Sequence, residues 1–123
     1  MRLTWLGHSA VHLEAAGKSI LVDPFFTGNP KHPQGWEDRL GRLDAIVVTH
    51  GHEDHVGDTV RLAKKYGATL VGQWEICMTL AAEGVEKVQP MNTGGCITHE
   101  GVRFCMVPAF HSSAVMRDGK AQT

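Results

Sequence analysis

The stretch Thr49-His50-Gly51-His52-Glu53-Asp54-His55-Val56-Gly57-Asp58 puts three imidazoles and a carboxylate within the six residues from His50 to His55. Residues 50 and 52 are two apart, so in an extended segment their side chains leave the same face. Two neutral imidazoles placed that way can grip one divalent ion at about 2.0–2.1 Å. Gly51 lets the backbone bend between them. Asp54 and His55 come after the bend and can face the same cleft from another direction, which suits a second, adjacent ion. As plain loop residues these imidazoles would repel one another when protonated, and as core residues each would need partners for both nitrogens; a shared ion removes both problems. Asp54 also stands where a helix N-cap would, and the two jobs compete for its oxygens.

The flanks place this cluster in a strand–loop–helix unit. Ala45-Ile46-Val47-Val48, a continuous apolar and mostly β-branched run, predicts a central strand covered on both faces and leads directly into Thr49-His50. On the other side Val56, Val60 and Ala63 recur at helical spacing, predicting one helix over 55–66 with Gly67 as its stop. Upstream, 3–6, 11–15 and 19–22 predict an antiparallel meander that ends at Asp23-Pro24, followed by a surface loop over 25–36. Downstream come a strand at 68–71, a helix at 75–82 and a strand at 85–91. A hairpin of 96–99 and 102–107 then turns at Glu100-Gly101 and leads into Pro108-Ala109-Phe110-His111. His111 follows a strand on a non-helical segment, from which it could reach the same cleft. Beyond Val115 the sequence turns polar, and no further element is predicted.

Composition narrows the function classes. With 123 residues, 42% of them hydrophobic, the chain can bury one modest core. Lys plus Arg number 12 against 13 Asp plus Glu, a formal net charge of -1. That balance encodes no long-range attraction to nucleic acid or anionic lipid. Cys77, Cys96 and Cys105 form no CxxC pair and leave an odd thiol, which predicts reduced, small apolar side chains rather than a disulfide scaffold. With no apolar run long enough to span a bilayer and no signal-peptide pattern, the expectation is a cytoplasmic protein.

The His50-Gly51-His52-Glu53-Asp54-His55 motif resembles the HxHxDH signature of the metallo-β-lactamase superfamily. More narrowly, the chain is similar to uncharacterised bacterial and archaeal metal-dependent hydrolases related to ascorbate-phosphate lactonases. That similarity is carried by Leu6-Gly7-His8-Ser9-Ala10, Leu21-Val22-Asp23-Pro24-Phe25 with Thr27-Gly28-Asn29-Pro30, His55-Val56-Gly57-Asp58-Thr59 and Ala109-Phe110-His111-Ser112-Ser113. The resemblance spans nearly the whole chain. It implies an α/β fold, with residues 1–123 forming the N-terminal half of one αββα sandwich. It implies further that His50, His52 and His111 hold a first ion, that Asp54 and His55 belong to a second, and that Asp23 braces the metal-binding loop from behind. His8, at the end of the first strand, either lines the cleft and bonds a ligand or substrate, or is a surface histidine. Asp58 stands where a second glycine often follows this motif, and its role is open. His12, His32 and His99 read as structural or solvated.

The resemblance also implies two groups supplied by the C-terminal half: an aspartate shared by both ions and a final histidine on the second. Asp118 lies too close to His111 to be that aspartate. A half-sandwich should expose an apolar sheet face. Three explanations are open for that face: a truncated or proteolysed protein, a second polypeptide that supplies the remaining half, or self-association that covers the apolar surface, although identical copies cannot supply an aspartate and histidine that none possesses. The function implied is a metal-dependent hydrolase that turns a metal-bound hydroxide, oriented by Asp54, on a small ester, lactone or phosphoester. One or two divalent ions are expected, zinc by default from nitrogen-rich ligands, with manganese, nickel or iron compatible. The runner-up enzyme, a nuclease, lacks the expected basic aromatic patch. The alternative from another class is a metal-binding half-domain without turnover.

Overall fold

In the computed structural model, which describes residues 1–122, six strands form one mixed sheet in chain order. Strands β1 (Arg2–Trp5), β2 (Val11–Ala15) and β3 (Lys18–Val22) make the antiparallel meander, as the turn spacing predicts. Strands β4 (Ala45–Val48), β5 (Thr69–Gln73) and β6 (Val88–Met91) continue it in parallel, each joined to the last by a crossover. Parallel neighbours need such crossovers, and here helical segments supply two of them.

Helix α1 (Glu53–Val56) and helix α2 (Thr59–Tyr66) lie between β4 and β5, and helix α3 (Trp74–Ala82) lies between β5 and β6. The single helix expected over 55–66 is thus two. Gly57 breaks it with φ 43°, and a Cβ there would lie 2.6 Å from Phe25 Cα and from the Pro24 carbonyl oxygen. The chain dips at this point against the loop after β3, where Asp58 N–H donates to the Pro24 carbonyl at 2.9 Å. Leu21, Ile46, Val48 and Leu70 pack with Leu62, Ala63, Ile76 and Leu80 to form the core on the helical side.

The loop over 25–36 is less superficial than expected. Phe26 is buried in that core and stacks on His32 at 4.1 Å between ring centroids. His12 is buried as well and shares a 2.9 Å hydrogen bond with Ser19 Oγ, and burial depresses its pKa. On the opposite sheet face, Leu13, Ile20, Val22, Val47 and Val71 line an apolar groove of about 500 Å³ with Phe104 and Met106. This is the face that the half-sandwich reading expects to be open, and the hairpin β7 (Cys96–His99) with β8 (Val102–Cys105) covers part of it.

Two expectations are corrected. Cys96 and Cys105, paired in register across that hairpin, are joined as a disulfide, which leaves Cys77 as the free, buried thiol. Cysteine usage therefore no longer argues for a reducing compartment. Among the described residues, no helix is long and apolar enough to cross a membrane. The polar tail forms a second hairpin, β9 (Val115–Arg117) with β10 (Lys120–Gln122), anchored by buried Val115 and by Arg117 paired with Glu83.

Candidate metal centre

The cleft lies at the C-terminal ends of β3 and β4. Two buried carboxylates fix the segments around it. Asp23 turns with φ 45° at the end of β3. Its Oδ1 accepts from Thr49 N–H at 2.8 Å, and its Oδ2 accepts from Thr49 Oγ1 at 2.6 Å and from His55 Nδ1 at 2.8 Å. One residue thus fixes both the end of β4 and the ring of His55. Asp58 does the same for the neighbouring loop. It accepts from Phe26 N–H, Thr27 N–H, Thr27 Oγ1 and Arg61 at 2.8–3.1 Å. Burial opposes its ionisation, but those hydrogen bonds prevail and hold its carboxyl below the ordinary range. The open role of Asp58 is filled by this lacing.

The imidazoles converge above these carboxylates. Ring centroids lie 4.7 Å apart for His50 and His52, 4.5 Å for His50 and His111, and 4.9 Å for His52 and His111. His111 arrives because Gly51 carries no side chain. A Cβ on Gly51 would stand 2.7 Å from the Ala114 carbonyl carbon, and Gly51 N–H donates to Ser113 Oγ at 3.1 Å. The glycine between the two histidines serves close approach of the distant segment as well as the bend.

Each ring spends one nitrogen on its own chain. Thr49 Oγ1, its proton committed to Asp23, accepts from His50 Nδ1 at 3.0 Å. His55 Nδ1 donates to Asp23, and His111 Nδ1 donates to the Ser112 carbonyl at 2.7 Å. Ser112 Oγ partners His52 Nε2 at 3.2 Å. The inward nitrogens remain: His50 Nε2 and His52 Nδ1 face each other at 3.2 Å. Neighbouring donors on a tetrahedral ion with bonds of about 2.0–2.1 Å would lie about 3.3 Å apart, so this separation fits a metal edge. Burial, then the neighbouring His55, His52 and His111, push the His50 pKa below its ordinary value, favouring the neutral, metal-binding ring.

The donors fall into two nests. Ligand atoms of His50, His52 and His111 all lie within 4.8 Å of one another, and so, separately, do those of His8, Asp54 and His55. Asp54 sits in the first turn of α1 and makes no capping bond there, since the N-cap position belongs to His52. Its Oδ2 instead lies 3.2 Å from His8 Nε2. All the residues singled out in the sequence are thus brought to one cleft. Thr49, Ser112 and Ser113, which orient them, were not singled out; their one signal was adjacency to His50 and His111.

A mixed sheet flanked by helices, with a histidine–aspartate cleft at its strand ends, defines the class. The sequence profile described as "Metallo-beta-lactamase superfamily" matches residues 3–113, and the chain belongs to that superfamily. Within it, the chain is 48% identical over 120 residues to a UPF0173 metal-dependent hydrolase of Methanopyrus kandleri, covering 98% of this chain and 51% of that protein. A UPF0173 metal-dependent hydrolase of Sinorhizobium medicae is 49% identical over 121 residues, covering 97% and 52%. The chain thus spans about half the length of these curated relatives. Among solved structures it superposes on Igni18, described as a novel metallo hydrolase of Ignicoccus hospitalis, with TM-score 0.82 and 35% identity, over 97% of this chain and 57% of that one. CmlA of Streptomyces venezuelae, a diiron β-hydroxylase, shares the fold at TM-score 0.69 and 20% identity, over 86% of this chain and 23% of that one.

Proposed function

We propose that this chain carries the metal-binding part of a hydrolytic site acting on a small ester, lactone or phosphoester. The observation that carries the reading is the division of labour in the rings: outer nitrogens are committed to Thr49, Asp23 and Ser112, which leaves inner nitrogens for the two donor nests. Divalent metal is what such an arrangement fits, and zinc suits its nitrogen-rich donors. A bound ion would supply a water acidified toward neutral pH and positive charge opposite the developing oxyanion.

The chain's own residues do the rest. Asp54, a donor of the second nest, is placed to orient the attacking hydroxide. Asp23 holds His55 and the end of β4 in place, so the donors are fixed before substrate arrives.

The test is bound metal per chain together with hydrolysis of an ester, lactone and phosphodiester panel, with and without a chelator. Chelator-sensitive turnover is expected. A second reading, a metal-binding half without turnover whose open face is covered by another polypeptide, is favoured by the half-length match to the relatives and the open apolar groove. Bound metal with no chelator-sensitive turnover would select it, and absence of bound metal would sink both.

A further inference from the structure

We propose that His8 is a direct ligand: its Nε2 joins Asp54 and His55 as the third protein donor of a second divalent-ion site, separate from that of His50, His52 and His111. This rests on the metal-centre reading above and goes beyond it, because the superfamily motif supplies only Asp54 and His55 to this nest. Three observations carry it.

The first is placement. One ligand atom each of His8, Asp54 and His55 lies within 4.8 Å of the other two, and the 3.2 Å separation of His8 Nε2 from Asp54 Oδ2 matches the roughly 3.3 Å edge of a tetrahedral ion site. With His55 Nδ1 committed to Asp23, its Nε2 is the atom left to bind.

The second is a backbone built to aim this ring. His8 has φ 52°, a left-handed conformation uncommon for a residue with a Cβ, and follows Gly7 at φ 93°. The turn is closed by Leu6 N–H to the Ala10 carbonyl at 2.8 Å and by Trp5 Nε1 to the His8 carbonyl at 2.8 Å. Gly7 is pressed against Lys31, whose carbonyl carbon would lie 2.7 Å from an added Cβ. The turn is thereby pinned from both sides.

The third is that packing fixes the plane of the ring. Phe25 and His55 contact it edge-on, at centroid distances of 5.9 and 5.1 Å. A histidine that merely decorated the surface would need neither the strained turn nor this clamp.

The experiment is metal titration of the chelator-stripped protein with Zn²⁺ and with Co²⁺, read by elemental analysis and by the cobalt absorption spectrum. The variants are His8→Ala, His8→Gln and His50→Ala. The wild type is expected to bind two ions per chain. His8→Ala should keep the ion of the His50 nest and bind the other at least about tenfold more weakly. His8→Gln should behave like His8→Ala, because an amide can still donate to Asp54 but is a poor zinc ligand. His50→Ala should spare the second ion. Cadmium-loaded wild type should show a scalar coupling between the metal and His8 Nε2, a readout that no variant's folding can confound. Wild-type affinity at both sites in His8→Gln, or no coupling to His8, would overturn the assignment and reduce His8 to a hydrogen-bond partner of Asp54. A wild type that binds one ion, in the His50 nest, overturns this proposal and leaves the metal-centre reading standing; a wild type that binds none overturns both.

Discussion

Asp23, just after β3, and Asp58, just before α2, are both buried carboxylates, yet they hold different things, and substitution should separate them. Asp23 accepts from His55 and Thr49, so its loss frees a ring that must point at an ion. Asp23→Asn is expected to lower metal affinity about 10- to 100-fold. Isothermal titration with zinc would check this, and unchanged affinity would remove Asp23 from the centre. Asp58 accepts from two backbone N–H groups, the Thr27 hydroxyl and Arg61, none of which is a ligand. Asp58→Ala orphans the buried donors and is expected to cost about 2–4 kcal/mol in urea denaturation, well above its effect on metal binding. A cost below about 1 kcal/mol would mean that the loop after β3 is held by something else.

At the scale of elements, two departures from the expected pattern are a helix that breaks and a hairpin that a disulfide closes. Val56, Val60 and Ala63 do recur at helical spacing, but periodicity cannot register that Gly57 abuts the backbone of Pro24 and Phe25. Gly57→Ala should therefore cost roughly 1–3 kcal/mol, even though alanine is the better helix former. A stabilised variant would show the break to be incidental. The Cys96–Cys105 bridge was legible after all. A hairpin turning at Glu100-Gly101 sets Cys96 opposite Cys105, but the odd count and the lack of a CxxC pair pointed elsewhere. Thiol counting in denaturant without reductant should give one reactive thiol per chain, Cys77, and three after reduction. Three thiols before reduction in air-exposed protein would contradict the bridge.

Across the whole molecule, what could be read from sequence is what neighbours in sequence determine. The spacing within His50–His55, the turn at Asp23-Pro24 and the apolar runs of β4 and β5 are local, so the sheet and the candidate donors of that motif followed from them. The clamp on His8, the docking of Ala114 and Val115 over Gly51, and the two carboxylate braces are contacts between distant segments, invisible to periodicity. Stability should carry a global acid signature. Arg61 and Lys65 hold Glu37 down to about 2, and hydrogen bonds hold Asp44 and Asp58 below the ordinary carboxylate range against burial. Because these folded values are depressed, their contribution is fully present above the unfolded carboxylate range. It should be lost as pH falls from about 4.5 toward 2, and Glu37→Gln should flatten that leg. Burial of neutral His12 adds an earlier decline, beginning as pH drops below its ordinary 6.5. Denaturation midpoints followed from pH 8 to 2 would test both legs. The central claim, that rings from segments far apart in sequence share an ion, is tested most directly by following the imidazole nitrogens by NMR during zinc addition. His50 Nε2, His52 Nδ1 and the inward nitrogen of His111 should shift along one common isotherm. A His111 ring that stays at its metal-free position while the other two saturate would contradict the account.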